Sequence, residues 1–249
     1  MPRPIVGAYC TQHVASLARE GAYAPVMIRL YHCVGARSFR ALWALEELGL
    51  SYELVVLPFP PRQHAPDFLD VNPLGTIPLL VHDQTRMTES AAICQYLCSL
   101  VPGTPLEVRP GDGDYGQFLN MLHFGEATLT FPQTLVLRYS RLEPEHRRQP
   151  TVAEDYAKWF LARLRSLEPR LSQGAFLCAD RFTVADISVG YALMLAEYLG
   201  LAARFRPAVA AYWSRLRERP AFRRAMEAQD AAATARGISI VPAPLATGS

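Results

Sequence analysis

The stretch Val26 to Tyr31 is apolar enough for a buried strand, and His32 to Arg37 follows as a tight loop carrying Gly35. From Ser38 the apolar spacing changes to three and four. Phe39, Leu42, Trp43, Leu45 and Leu48 form one helical face, and Gly49 is the stop. Tyr52 to Leu57 reads as a second strand, so the opening is strand–helix–strand and implies a parallel pair. Pro58 to Pro61 reads as a loop, and Asp67 to Val71 as a short helix ending near Asn72-Pro73. Leu79 to Val81 is a third strand placed directly behind Pro78. A polar turn, His82 to Arg86, leads to a short fourth strand, Met87-Thr88. Glu89-Ser90 then opens a helix whose apolar positions are Ile93, Tyr96, Leu97 and Leu100. Backbone N–H groups and the helix dipole converge at such a start, which suits a carboxylate.

Val101 to Asp114 holds three prolines and three glycines and reads as an interdomain linker. Beyond it the pattern is helical. Tyr115 to about Leu142 predicts one long helix with a kink at Pro132, and Glu143 to Pro150 a charged connector. Val152 to Leu171 predicts an amphipathic helix with Tyr156, Trp159, Phe160, Leu164 and Leu167 on the inner face. Thr183 to Leu199, Pro207 to Glu218 and Ala221 to Gln229 complete the set. Thr183 and Asp186 form a capping-box pattern flanked by Phe182 and Ile187, a structural device. The order βαβ, short helix, ββα describes an α/β thioredoxin-like N-terminal domain, with Pro78 where that fold carries a cis proline. An all-α C-terminal helical domain follows. The boundaries are a disordered extension over 1–25 ahead of Met27, domains over 26–101 and 115–230, and a loose tail over 231–249.

Composition narrows the class. The 249 residues are 50% hydrophobic and 19% charged with a net charge of +2, so nucleic acid is not the expected partner. No stretch of 18 apolar residues occurs, so no membrane-spanning helix is expected. Five cysteines, Cys10, Cys33, Cys94, Cys98 and Cys178, do not make a disulfide framework and suit a reducing cytoplasm. Cys94 and Cys98 lie four apart on one helix without further ligands nearby, so no metal site is expected.

Four stretches, in order and at matching spacing, resemble the soluble glutathione S-transferases. They are Arg37 to Gly49, Asn72-Pro73-Leu74-Gly75 with Ile77-Pro78, Thr88 to Ile93, and Phe182-Thr183 with Asp186. The resemblance covers nearly all of Val26 to Gln229. It implies glutathione as cosubstrate, a small hydrophobic electrophile as second substrate, a detoxification role and a homodimer. It also implies that the Ile77 backbone pairs with the cysteinyl part of glutathione, that Pro78 is cis, and that Glu89 and Ser90 hold the γ-glutamyl end. Thr76 stands where many bacterial members carry Lys or Arg, one cation fewer for the glutathione carboxylates. Tyr115, Phe118, Met121, Leu122 and Phe124 are the expected lining for the electrophile.

A thiol of pKa ~8.5 is only about 3% thiolate at pH 7, and lowering that pKa by ~2 units takes ~2.7 kcal/mol. One hydrogen bond to a charged group supplies ~1.5–3 kcal/mol, and a helix N-terminus adds ~0.3–1 kcal/mol. A single donor at the start of the first helix is therefore enough. The candidates, in order, are Ser38, Arg37 as an electrostatic helper, Cys33 and Tyr31. Register on Gly49 puts Arg37 where beta-type members carry cysteine, and Gly35 or Ala36 where serine-type members carry their hydroxyl. Register on the loop instead likens Cys33 to the omega-type cysteine. Two other readings stay open: glutathione-dependent disulfide reduction or deglutathionylation through Cys33, and a non-catalytic binding or regulatory module.

Overall fold

The computed structural model describes residues 27–242 and Leu245. The expected extension over 1–25 lies outside the described residues. Strand β1 (Ile28–His32) lies at the centre of the sheet with β2 (Tyr52–Val56) parallel on one side, Leu30 beside Leu54. On its other side β3 (Leu79–His82) runs antiparallel, and β4 (Thr85–Met87) closes the order β2-β1-β3-β4. Helix α1 (Phe39–Leu48) connects β1 to β2 and ends on Gly49, whose N–H reaches Leu45 O. Pro58 to Pro60 form the expected loop, but Pro61, read as its last residue, instead opens one helical turn, α2 (Pro61–His64), where at the first position no backbone donor is required. Helix α3 (Phe68–Val71) follows, and the Ile77–Pro78 bond ahead of β3 is cis. Helix α4 (Ser90–Ser99) leaves the hairpin with Glu89 as its N-cap.

The long helix expected from Tyr115 is not uniform. It runs as α5 (Tyr115–His123), a π-helical stretch over Phe124–Thr130, α6 (Phe131–Leu137) and a second π-helical stretch over Arg138–Leu142. Pro132 sits in the first turn of α6, and the distortion falls N-terminal to it, at Gly125. A Cβ at Gly125 would lie 2.5 Å from the Ser188 backbone, so the wider turn goes with a close helix crossing. Helices α7 (Pro150–Leu164) and α8 (Glu168–Leu171) follow. The buried face of α7 is Ala153, Ala157, Phe160 and Leu164, and it packs against α6. The expected inner residue Trp159 is 39% exposed, with Tyr156 stacked on it.

Helix α9 (Val184–Tyr198) is the axis of the helical half, buried from Val184 to Ala196. Its capping box is formed: Thr183 N–H donates to Asp186 Oδ2 at 2.9 Å, and Asp186 Oδ1 accepts from Leu177 N–H and Tyr212 O–H. Helices α10 (Pro207–Arg217) and α11 (Pro220–Ala235) complete the fold. Helix α11 continues past Gln229, the end expected from the pattern, and Ala233 packs into a small core with Val34 and Val56. The segment expected to be a loose tail therefore begins as packed helix. Helix α1, wholly buried from Phe39 to Leu45, packs on α4, α9 and α11 and joins the sheet to the helical half.

Candidate active site

The loop between β1 and α1 lies at the junction of sheet and helices. A cavity of ≈740 Å³ opens there, a volume suited to a small-molecule ligand. One wall is Gly35, Ala36 and Arg37, with Phe59 to Gln63 and Gly75 to Ile77. The other is Thr130, Thr134, Leu135, Leu137, Arg138, Leu142 and Glu143, with Tyr191 and Leu195 of α9. The expected lining residues Tyr115, Phe118, Met121, Leu122 and Phe124 do not contribute. Phe118 and Leu122 are fully buried in the core, and the wall comes from later turns of the same long helix.

The four candidate activators separate sharply. Arg37 lines the cavity with a side chain 46% exposed, and its Nη1 donates to Glu126 Oε1 at 2.7 Å. Ser38 is fully buried and faces away from the cavity wall. Its hydroxyl is 2.8 Å from His32 Nδ1 and accepts from Cys33 N–H at 3.3 Å. Cys33 is also fully buried, its thiol 3.8 Å from Pro58 O, and burial pushes that thiol up to about 12. Tyr31 points into a separate small core, its ring 5.3 Å from Phe68.

The charge around Arg37 is organised by two residues without a local sequence signal. Arg40 is fully buried in the first turn of α1. It donates to Ser188 O at 3.1 Å, Gly125 O at 3.1 Å, Thr130 Oγ1 at 2.7 Å and Ser90 Oγ at 3.2 Å, and it bonds Glu126 Oε2. Its guanidinium also stacks 4.3 Å from the Tyr191 ring centroid. Burial alone would raise the Glu126 carboxyl, but the Arg40 and Arg37 guanidinium groups outweigh it and hold it below its ordinary value. Glu126 Oε2 also accepts from Ser90 Oγ at 3.5 Å, so one carboxylate joins the cavity wall to the start of α4. Of the residues expected to hold glutathione, Thr76 and Ile77 line the cavity. Ser90 is buried at the α4 N-terminus, and Glu89 beside it is exposed. The one hint of Arg40 in the sequence is a lone cation within an otherwise apolar helix face.

A family model described as glutathione S-transferase, N-terminal domain, matches residues 36–100, and one described as glutathione S-transferase, C-terminal domain, matches 134–220. Glutathione S-transferase 3 of Zea mays is 30% identical over 202 residues, covering 76% of this chain and 88% of the relative. The chain belongs to the glutathione S-transferase family. A crystal structure of a glutathione transferase from Methylococcus capsulatus str. Bath superposes with a TM-score of 0.73 at 30% identity, covering 82% of this chain and 100% of that one. Ure2p5 of Phanerochaete chrysosporium, cocrystallized with 1-(S-glutathionyl)-2,4-dinitrobenzene, gives a TM-score of 0.72 at 28% identity, covering 84% and 96%. This transferase thus has its family's two-part fold, a four-stranded sheet with helices followed by a helical domain. Among its described residues no helix is long and apolar enough to cross a membrane.

Proposed function

We propose that this transferase joins the thiolate of glutathione to a small hydrophobic electrophile in the cavity between loop 35–37 and helix α6. As a family member the chain is a glutathione-using enzyme; the choice of electrophile and of activating group is the proposal. The sulfur would supply an electron pair to an electron-poor carbon, and either a leaving group departs or the resulting carbanion takes a proton.

The observation that carries the reading is the position of Arg37. Among the four candidate activators it alone lines the cavity, while Ser38 and Cys33 are sealed inside the loop. A guanidinium there would lower the thiol pKa by charge attraction, with no general base required. Ile77 and the cis Pro78 would present backbone to the cysteinyl part, with Ser90 and Glu89 at the γ-glutamyl end. Arg62 of α2 lines the cavity beside Gly75 and Thr76, and would supply the cation that Thr76 lacks. The buried Cys33 thiol, pushed up to about 12, gives the disulfide-reductase reading little support. No specific observation favours the non-catalytic module.

Retention on immobilised glutathione and a chlorodinitrobenzene assay test this, beside a hydroxyethyl disulfide assay. Arg37→Met should lower kcat/KM for conjugation by about 10- to 150-fold, the worth of ~1.5–3 kcal/mol from one charge-assisted hydrogen bond. Wild-type protein that neither binds glutathione nor conjugates would end the reading. The outer groove at Leu119, His123, Phe124 and Ala127 is where we place a homodimer contact. Light scattering showing a monomer would exclude it. The free thiols of Cys33, Cys94, Cys98 and Cys178 suit a cytoplasmic location.

A further inference from the structure

We propose that Gln229 is a positioning residue for the transfer step: from α11 it fixes the Gly35 peptide, and through it the cavity wall at Ala36 and Arg37. Gln229 is fully buried and does not line the cavity. Its Oε1 accepts from Gly35 N–H at 3.3 Å and lies 3.1 Å from His32 Nε2. The amide orientation is forced, because the reverse would set its NH₂ against the Gly35 N–H. An acceptor at Oε1 requires His32 to donate from Nε2, which leaves Nδ1 to accept from the Ser38 hydroxyl at 2.8 Å. Ser38 Oγ in turn accepts from Cys33 N–H. Each donor has an acceptor, and the chain carries no charge. His32 is fully enclosed, and that burial lowers its pKa to about 4, so the neutral ring persists at neutral pH.

The next peptide, Gly35–Ala36, is held independently. Tyr191 O–H, from α9, donates to Gly35 O at 3.4 Å. Gly35 has φ +68, and a Cβ there would lie 2.6 Å from Pro242 Cβ, in the segment beyond α11. One residue of the cavity wall, with the peptides on both sides of it, is thus held by three elements of the helical half. The pair Ser38–His32 has the spacing of a nucleophile and its base, but full enclosure leaves no path for a substrate. Its role is to hold the loop.

This inference rests on the transferase reading, and its test separates the two. In wild-type protein, nitrogen NMR should show His32 as the neutral tautomer with hydrogen on Nε2, and the Gly35 amide should exchange slowly. Gln229→Met removes the acceptor at similar volume. It should speed Gly35 exchange about tenfold or more and lower kcat for conjugation about tenfold, the scale of one lost buried hydrogen bond. The pKa of the bound glutathione thiol, read from thiolate absorbance, should rise with it. Gln229→Glu keeps the acceptor, so Gly35 protection and most of kcat should return while His32 becomes imidazolium. A wild-type His32 with hydrogen on Nδ1 overturns the inference, as does Gln229→Met with unchanged Gly35 exchange. A variant that only melts earlier, with kcat and thiol pKa unmoved, also overturns it. If Gln229→Met fails to fold, the wild-type tautomer and Gln229→Glu still decide. Wild-type protein without conjugation ends the transferase reading alone, since tautomer and exchange report on the grip itself.

Discussion

Two buried polar networks cross from the first domain to the helices, and they differ in charge. Arg37, Arg40, Glu126 and Ser90 form a charged hub, open at Arg37 to the cavity. His32, Ser38 and Gln229 form an uncharged chain, closed on all sides. A charged network beside a cavity can meet an anion, because a guanidinium on the wall retains donors for it. A neutral, sealed network can only set geometry, and it does so without the desolvation cost of a buried ion. On the proposed reading the hub belongs with the chemistry, and the chain with the shape of the wall.

Removing the hub's carboxylate should have the largest effect. Glu126→Leu leaves Arg40 enclosed without its counter-charge, a loss of ~3–5 kcal/mol by the usual cost of breaking a buried pair. Urea unfolding measures it, and a loss below ~1 kcal/mol would mean that the five other contacts of Arg40 suffice.

The neutral chain should show itself through pH. His32 has a folded pKa of about 4 against an ordinary 6.5. Between those values the unfolded chain binds the proton that the folded one refuses, so stability is full above pH 6.5 and is lost as pH falls toward 4. The loss is roughly 3 kcal/mol at 1.36 kcal/mol per unit. Asp186 acts in the opposite sense, since burial pushes its carboxyl up to about 6 and its contribution fades as pH rises toward that value. Comparing wild type with His32→Gln cancels Asp186. The difference between their unfolding free energies should shrink by that amount between pH 7 and 4, and a constant difference would show that His32 titrates normally.

Ser38→Ala should have the smallest effect and sharpens the contrast most directly. It strands His32 Nδ1 and Cys33 N–H for ~1–3 kcal/mol of stability. The folded variant should still ionise bound glutathione, as Arg37→Met should not. Loss of the bound thiolate in Ser38→Ala would return Ser38 to the head of the activator candidates.

Arg37 and Ser38 also show how far the chain could be read. Both stand at the start of α1, adjacent in sequence, with Ser38 ranked ahead of Arg37 on chemistry alone. Successive helical residues point ~100° apart, which sends one into the cavity and the other into the core. Knowing which goes where requires knowing what packs on α1, and its partners include α9 and α11, the latter nearly 200 positions later. The lining residues illustrate the same limit. Phe118 and Leu122 have the right composition, but crossing against α9 turns them inward and brings Thr134, Leu135 and Arg138 to the wall. By contrast, the Gly49 stop, the start of α4 at Ser90 and the Thr183–Asp186 box were legible, because each is settled within a few residues.

Local sequence by itself determined the strand order, the ends set by the Gly49 stop and the Thr183 cap, and, by its spacing of motifs, the family and its cosubstrate. Those features depend on periodicity and on hydrogen bonds of short span. Tertiary structure alone decided that Arg37 faces the cavity, that Glu126 binds it, and that Gln229 grips Gly35. These contacts join residues 89 to 194 positions apart. Nothing in a short window distinguishes a glutamate or glutamine that meets such a partner from one that meets water.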